Sequence, residues 1–195
     1  MKRTVSFEKD DQLYRFILEN GFSCSIEQMA VGIKVEKKTL YNRYLNRKNL
    51  EITVGNHWKI LFIDRLYDKF DQCNNSLEKL LFFILELQKS YVKESIFFQK
   101  EIDETAHNND SPRHPFLLIL DTIIAEGQKE NLFQEINTTI YTSYLLHNLI
   151  YFYFNKIRAR EIITFLLAPL LTPKGLEYYL QIDINRFLKI SQSIT

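Results

Sequence analysis

Apolar residues recur along this chain three and four apart, in runs separated by short polar breaks, the spacing of amphipathic helices. The first run spans about Ser6–Asn20, with Leu13, Phe16 and Ile17 as its stripe, Ser6 placed to cap it and Asn20-Gly21 placed to end it. Phe22 then folds back as an apolar lid. A second helix, about two turns long, begins at Ser25. Ser25 and Gln28 fit a capping box there, and Ile26, Met29, Ala30 and Ile33 supply one apolar face. Gly32-Ile33-Lys34-Val35 reads as a tight turn into a third short helix, Glu36 to about Tyr44, with Val35 and Leu40 inward. Helices this short are marginal alone and need packing partners. Two of them joined by a tight turn, the second carrying cations and hydrogen-bonding groups, make a helix-turn-helix arrangement.

The later runs are longer and more apolar. Arg47 or Lys48 opens a helix to about Phe70, with Leu50, Val54, Trp58, Leu61, Phe62 and Leu66 inward. The polar cluster Asp71–Asn75 breaks it, and Ser76 is placed to cap the next, which runs to about Tyr91. A shorter helix from Ser95 to about Thr105 follows, then a polar loop from His107 to Arg113. Pro115 suits the first turn of a helix reaching about Lys129. Asn137 or Thr138 opens a strongly apolar helix to about Tyr153, and another spans Ala159–Leu171. Thr172-Pro173 begins the last one, whose apolar side runs on to Ile190. No alternation of strand type is sustained, so the expected fold is all-α, with about nine or ten helices. Only five Gly and four Pro in 195 residues agree with long helices.

Charge changes the picture locally. The formal net charge of +1 says nothing about partners, but residues 1–50 carry +4 and the remainder −3. Lys34, Lys37, Lys38, Arg43, Arg47 and Lys48 lie within fifteen residues that hold one anion, Glu36. Such a patch is either a solvated helix face or a nucleic-acid contact. The two cysteines, Cys24 and Cys73, lie far apart and form no disulfide framework, so a reducing, cytoplasmic setting is expected. The first residues lack the apolar core of a signal peptide, and the most apolar stretches, Ile140–Phe154 and Ile162–Leu171, are too short to span a bilayer. No enzyme, cofactor or metal is expected. Glu104-Thr105-Ala106-His107 has the spacing of half a di-iron site, but no second Glu-x-x-His exists, and there is no phosphate loop or nucleophile elbow.

The segment Ser25–Leu50, SIEQMAVGIKVEKKTLYNRYLNRKNL, resembles the DNA-binding domain of TetR-family transcriptional regulators. The resemblance rests on Ser25, Met29-Ala30, Thr39-Leu40-Tyr41, Tyr44 and Arg47, with Gly21-Phe22 closing the first helix. Farther on, Ala125-Glu126-Gly127 with Leu132-Phe133, and Leu171-Thr172-Pro173-Lys174-Gly175, resemble family linkers. Lys34 stands where the family has Gly, Glu36 where it has a Ser or Thr cap, and Arg43 where it has an aromatic.

The resemblance implies a helix-turn-helix domain over residues 1–49 and a helical effector-binding and dimerisation domain over 50–195. It implies a homodimer on double-stranded DNA, a repressor released from a palindromic operator by a small apolar or aromatic ligand, and no membrane partner. Lys37, Thr39, Tyr41 and Asn42 become candidates for base edges or adjacent phosphates, and Ser25, Lys38, Tyr44, Arg47 and Lys48 for phosphates. Tyr41 and Tyr44 stay open between core packing and DNA contact. Phe83, Tyr91, Phe97, Phe98, Phe116, Tyr141 and Tyr144 are candidate pocket residues, each also a plain core candidate. His147, Tyr151 and Phe154 with Ile163, Leu166 and Leu167 are the candidate dimer surface, because helices apolar nearly all round must be buried on two sides. The rival reading is a protein of the same fold, a sensor or interaction module, that has lost operator binding.

Overall fold

The structure, a computed structural model, describes the backbone of residues 2–106, 115–154 and 159–183. The side chains of 2–7, 92, 98–106, 150–154, 159–160 and 162–163 lie outside that description. Among the described residues there are nine helices and no strand. They are α1 (Lys2–Asn20), α2 (Ile26–Gly32), α3 (Lys37–Tyr44), α4 (Arg47–Phe70), α5 (Ser76–Ala106), α6 (Pro115–Lys129), α7 (Thr138–Phe154), α8 (Ala159–Leu167) and α9 (Pro173–Gln181). None is long and apolar enough to cross a membrane. The expected all-α fold is therefore present, with three differences in the elements. α1 begins at Lys2 rather than Ser6, α8 stops at Leu167, and the two helices expected over 76–105 are one, kinked at Glu94 (φ −124°, ψ 24°). The expected His107–Arg113 loop, the His of the Glu-x-x-His spacing and the final turns to Ile190 fall outside the described residues.

The chain packs as two compact units: Met1–Arg65 with Glu94–Asn108, and Leu66–Lys93 with Asn109–Thr195. The unit containing the helix-turn-helix thus extends past residue 49, taking in most of α4 and the end of α5.

In the first unit Leu13 and Ile17 of α1, Met29 and Ala30 of α2, Leu40 of α3 and Leu50, Val54, Trp58 and Phe62 of α4 are all buried. Phe97 sits among aromatic rings: Trp58 stacks on it at 5.7 Å between centroids, with Tyr14 at 5.2 Å and Phe22 at 5.3 Å. The kink brings the Glu94 carboxylate, 6% exposed, into this cluster. There it accepts hydrogen bonds from Tyr14 Oη (2.6 Å), Trp58 Nε1 (2.7 Å) and Arg65 Nη2 (3.0 Å). Burial, then the Glu94 carboxylate beside it, pushes the Tyr14 phenol well above the usual tyrosine range. Buried polar groups need partners, and this carboxylate has three donors from two helices.

In the second unit the core is Leu77, Leu80, Leu81, Phe83 and Ile84 of α5 against Phe116, Leu120 and Ile124 of α6, with Leu145 and Leu149 of α7 and Leu166 and Leu167 of α8. Lys69 and Glu86 form an ion pair buried on both sides. Asn75, not Ser76, caps α5, accepting from the Glu78 amide (3.0 Å). The Ser76 hydroxyl instead donates to Glu130 (2.6 Å). Asn137 caps α7.

The linkers that carried the distant part of the resemblance have a plain steric reason. A Cβ on Gly127 would lie 2.0 Å from the Phe133 ring, and one on Gly175 2.1 Å from the Leu132 carbonyl oxygen. Thr172, the cap of α9, donates its amide to that same carbonyl (3.0 Å).

Candidate nucleic-acid interface

The helix-turn-helix is fixed by local chemistry at each end. Ser25 Oγ accepts from the Gln28 amide (3.2 Å) and Gln28 Oε1 accepts from the Ser25 amide (2.7 Å), the capping box expected from the sequence. The Val35 amide donates to Ala30 O (2.9 Å) and the Lys34 amide to Val31 O (3.1 Å), closing the turn. Lys34 takes a left-handed φ of 56° to do so. Only Gly reaches that region without steric cost, which is why Gly is the usual residue in such a turn. Replacing Lys34 with Gly is expected to stabilise the protein by about 1 kcal/mol, read as a rise in denaturation midpoint. No rise would mean the turn is unstrained. Glu36 sits at the N-cap of α3 without any side-chain hydrogen bond to the helix.

Three tethers hold α3 and its flanks. Tyr44 is 4% exposed, and its hydroxyl donates to Asp10 Oδ1 of α1 (2.6 Å). Arg43 Nη2 donates to the same oxygen (2.8 Å). Burial, then the Asp10 hydrogen bond, pushes the Tyr44 phenol well above the usual range. Tyr44 is therefore a core anchor, and this corrects its placement among the phosphate contacts: a ring with no accessible face cannot meet a phosphate. Arg47 forms the third tether. Its guanidinium donates to Glu51 Oε1 (2.7 Å), to Cys24 O (2.5 Å) and to Phe22 O, joining the loop before α2 to the start of α4. Three of its five N–H groups are thereby used, leaving two.

Lys38, Tyr41, Asn42 and Lys48 stand exposed, Thr39 and Ser25 half-buried. Lys37 is exposed too, but its ammonium pairs with Glu27 of α2 and lies 5.4 Å from the Tyr41 ring centroid. Of the six cations between 34 and 48, Lys37, Arg43 and Arg47 are thus ion-paired within the protein, whereas Lys34, Lys38 and Lys48 make no ion pair among the described residues. Asp10 and Glu27 were not singled out in the sequence. Nothing in residue spacing marks an acid on α1 as the partner of residues more than thirty positions away.

The other candidates divide by unit. Phe97 belongs to the aromatic core of the first unit, so it leaves the set proposed to line an effector pocket in the second. Phe83 and Phe116 are buried edge to face (centroids 6.5 Å apart), and Tyr91 is buried. Tyr141 donates its hydroxyl to Leu166 O, and Tyr144, against it at 6.0 Å, is exposed on α7. Of the dimer-surface candidates, His147 is exposed. Leu166 and Leu167 are fully buried inside their own unit, which corrects their placement on a partner-facing surface. The outward apolar residues near them are Ile140 and Tyr144 of α7 and Phe165 of α8. The side chains of Phe98, Tyr151, Phe154 and Ile163 lie outside the described residues.

No family model matches the sequence, and no curated protein does. Solved structures do. The fatty acid degradation regulator FadR of Bacillus halodurans is 18% identical with a TM-score of 0.64, covering 95% of this chain and 91% of that one. A transcriptional regulator of Saccharomonospora viridis solved with choline is 13% identical with a TM-score of 0.67, covering 87% and 99%. AibR, solved with isovaleryl coenzyme A and operator DNA, is 14% identical with a TM-score of 0.56, covering 84% and 98%. At these identities the likeness is one of fold alone: the chain shares the all-α fold of these solved regulators.

Proposed function

We propose that the chain is a homodimeric, cytoplasmic, DNA-binding transcriptional regulator, a repressor released from a palindromic operator when the second unit takes up a small apolar or aromatic ligand. The observation that carries this reading is the α2–turn–α3 unit, braced by Asp10 and Arg47, with Lys38, Tyr41 and Asn42 turned outward on α3 and Lys48 beside them at the start of α4. Asn offers a bidentate pair to adenine, and lysines neutralise phosphates. Support comes also from the likeness to AibR, solved on its operator with an acyl-coenzyme A, and to the choline-bound regulator. Phe83, Tyr91, Phe116 and Tyr141 are the remaining candidates for the ligand's surroundings.

A helix of eight residues reads few base pairs alone, so two copies are needed, with half-sites one helical turn, about 34–36 Å, or a multiple apart. The exposed Ile140, Tyr144 and His147 on α7 and Phe165 on α8 form the proposed partner face. Sedimentation at micromolar concentration is expected to give a dimer, and Phe165→Glu a monomer. A monomeric parent protein refutes the dimer. The rival reading, a sensor of this fold without an operator, draws support from the internal pairing of Lys37, Arg43 and Arg47. A mobility-shift series with the gene's own upstream DNA at low salt separates the two: a discrete complex favours the regulator, and none favours the sensor.

A further inference from the structure

Glu27 lies in the first turn of α2 and Lys37 opens α3, and their side chains meet as an ion pair. Capping does not require Glu27, because Ser25 and Gln28 already form the reciprocal cap. The hydrogen bond from Lys37 holds the Glu27 carboxyl below its usual range, and the same bond raises the Lys37 ammonium. Both groups are about half exposed, Lys37 49% and Glu27 54%, so an incoming anion can reach the pair. The neighbouring Lys38 has no such partner among the described residues and is exposed. The first turn of the proposed recognition helix therefore presents one cation that is available and one that is already occupied.

That asymmetry has a consequence for DNA, and it rests on the DNA-binding reading above. A phosphate approaching Lys37 must displace a carboxylate and then lie beside it. The exchange returns little, since one anion replaces another and the two repel. Guanine offers O6 and N7 to the same ammonium in the major groove without a formal negative charge, so the carboxylate can stay close. We propose that Glu27 is a specificity-determining residue, an intramolecular competitor that keeps Lys37 from sequence-independent phosphate contact and reserves it for a base edge.

The test needs no operator. Affinity for a short duplex of random sequence is measured across a salt series for the parent, Glu27→Gln, Lys37→Ala and the double variant. Glu27→Gln keeps a hydrogen-bonding group and removes the charge. It is expected to bind random duplex about three-fold tighter or more at low salt, since losing the competing carboxylate leaves the Lys37 ammonium open to a phosphate. Its log–log salt slope should steepen by up to about 0.9, one added phosphate contact. In the Lys37→Ala background most of that gain should vanish. An unchanged affinity for Glu27→Gln overturns the inference. So does an equal gain with and without Lys37, which would make Glu27 a general repulsive charge. A thermal midpoint close to the parent's is expected for Glu27→Gln, because both partners are solvated, and it confirms that binding is compared between folded proteins. A parent that binds no duplex at low salt overturns the DNA-binding reading itself, and this inference with it.

Discussion

Replacing Glu94 with Ala is expected to destabilise the first unit by about 3–5 kcal/mol, the largest effect of any single polar substitution considered. The carboxylate is the common acceptor for Tyr14, Trp58 and Arg65, at 2.6–3.0 Å. Trp58 is fully buried and Tyr14 nearly so, so their N–H and O–H groups lose their acceptor without gaining water. Arg65 is one-third exposed and can turn to solvent, which keeps the estimate below the sum of three lost bonds. Glu94→Gln, which keeps an acceptor oxygen but not the charge, should cost less than half as much. The readout is built in: Trp58 is the chain's single tryptophan, so its fluorescence in a denaturant titration reports this cluster. A loss under about 1 kcal/mol for Glu94→Ala would show that the cluster is not load-sharing.

Gly175→Ala should also be severe, about 3 kcal/mol or more, because overpacking is costly when nothing can rotate aside. The atom in the way is a main-chain oxygen, Leu132 O, 2.1 Å from the would-be Cβ, and that oxygen also accepts the Thr172 amide. Moving it breaks the bond that anchors Thr172, the cap residue of α9. At Gly127 the obstacle is the Phe133 ring, a side chain, so Gly127→Ala should cost less than Gly175→Ala when both are measured by thermal denaturation. Equal and small costs at the two glycines would contradict the packing described for this junction.

The helices were legible in the sequence because they depend on local periodicity and caps. The Ser25–Gln28 capping box, the turn at Lys34 and the start of α6 at Pro115 all stand where spacing and residue type put them. The break between Tyr91 and Ser95 was also visible as a lapse in the apolar pattern. That the carboxylate at this kink meets a tyrosine and a tryptophan 80 and 36 residues away was not. The same limit applies to α8. An apolar helix face reads alike whether it meets its own core or a second copy, so Leu166 and Leu167 were placed on the partner surface while Phe165, one position earlier, holds the exposed side. The resemblance makes Phe97 a pocket candidate, whereas three-dimensional packing puts it beside Trp58. Between Lys34 and Lys48, charge counting finds the basic patch but not its partial neutralisation by Asp10, Glu27 and Glu51.

That neutralisation bears on the proposed binding of duplex DNA by this helix-turn-helix, which would rest on a small set of available cations. The most direct measurement is the salt dependence of duplex affinity for the parent, Lys38→Ala, Lys48→Ala and Arg43→Ala. Each lost phosphate contact should flatten the log–log slope by about 0.9, doubled in a dimer. A flatter slope is expected for Lys38→Ala and Lys48→Ala, and no change for Arg43→Ala, whose guanidinium is held by Asp10. Slopes that stay at the parent's value for both lysines, or that respond to Arg43 alone, would contradict the proposed binding.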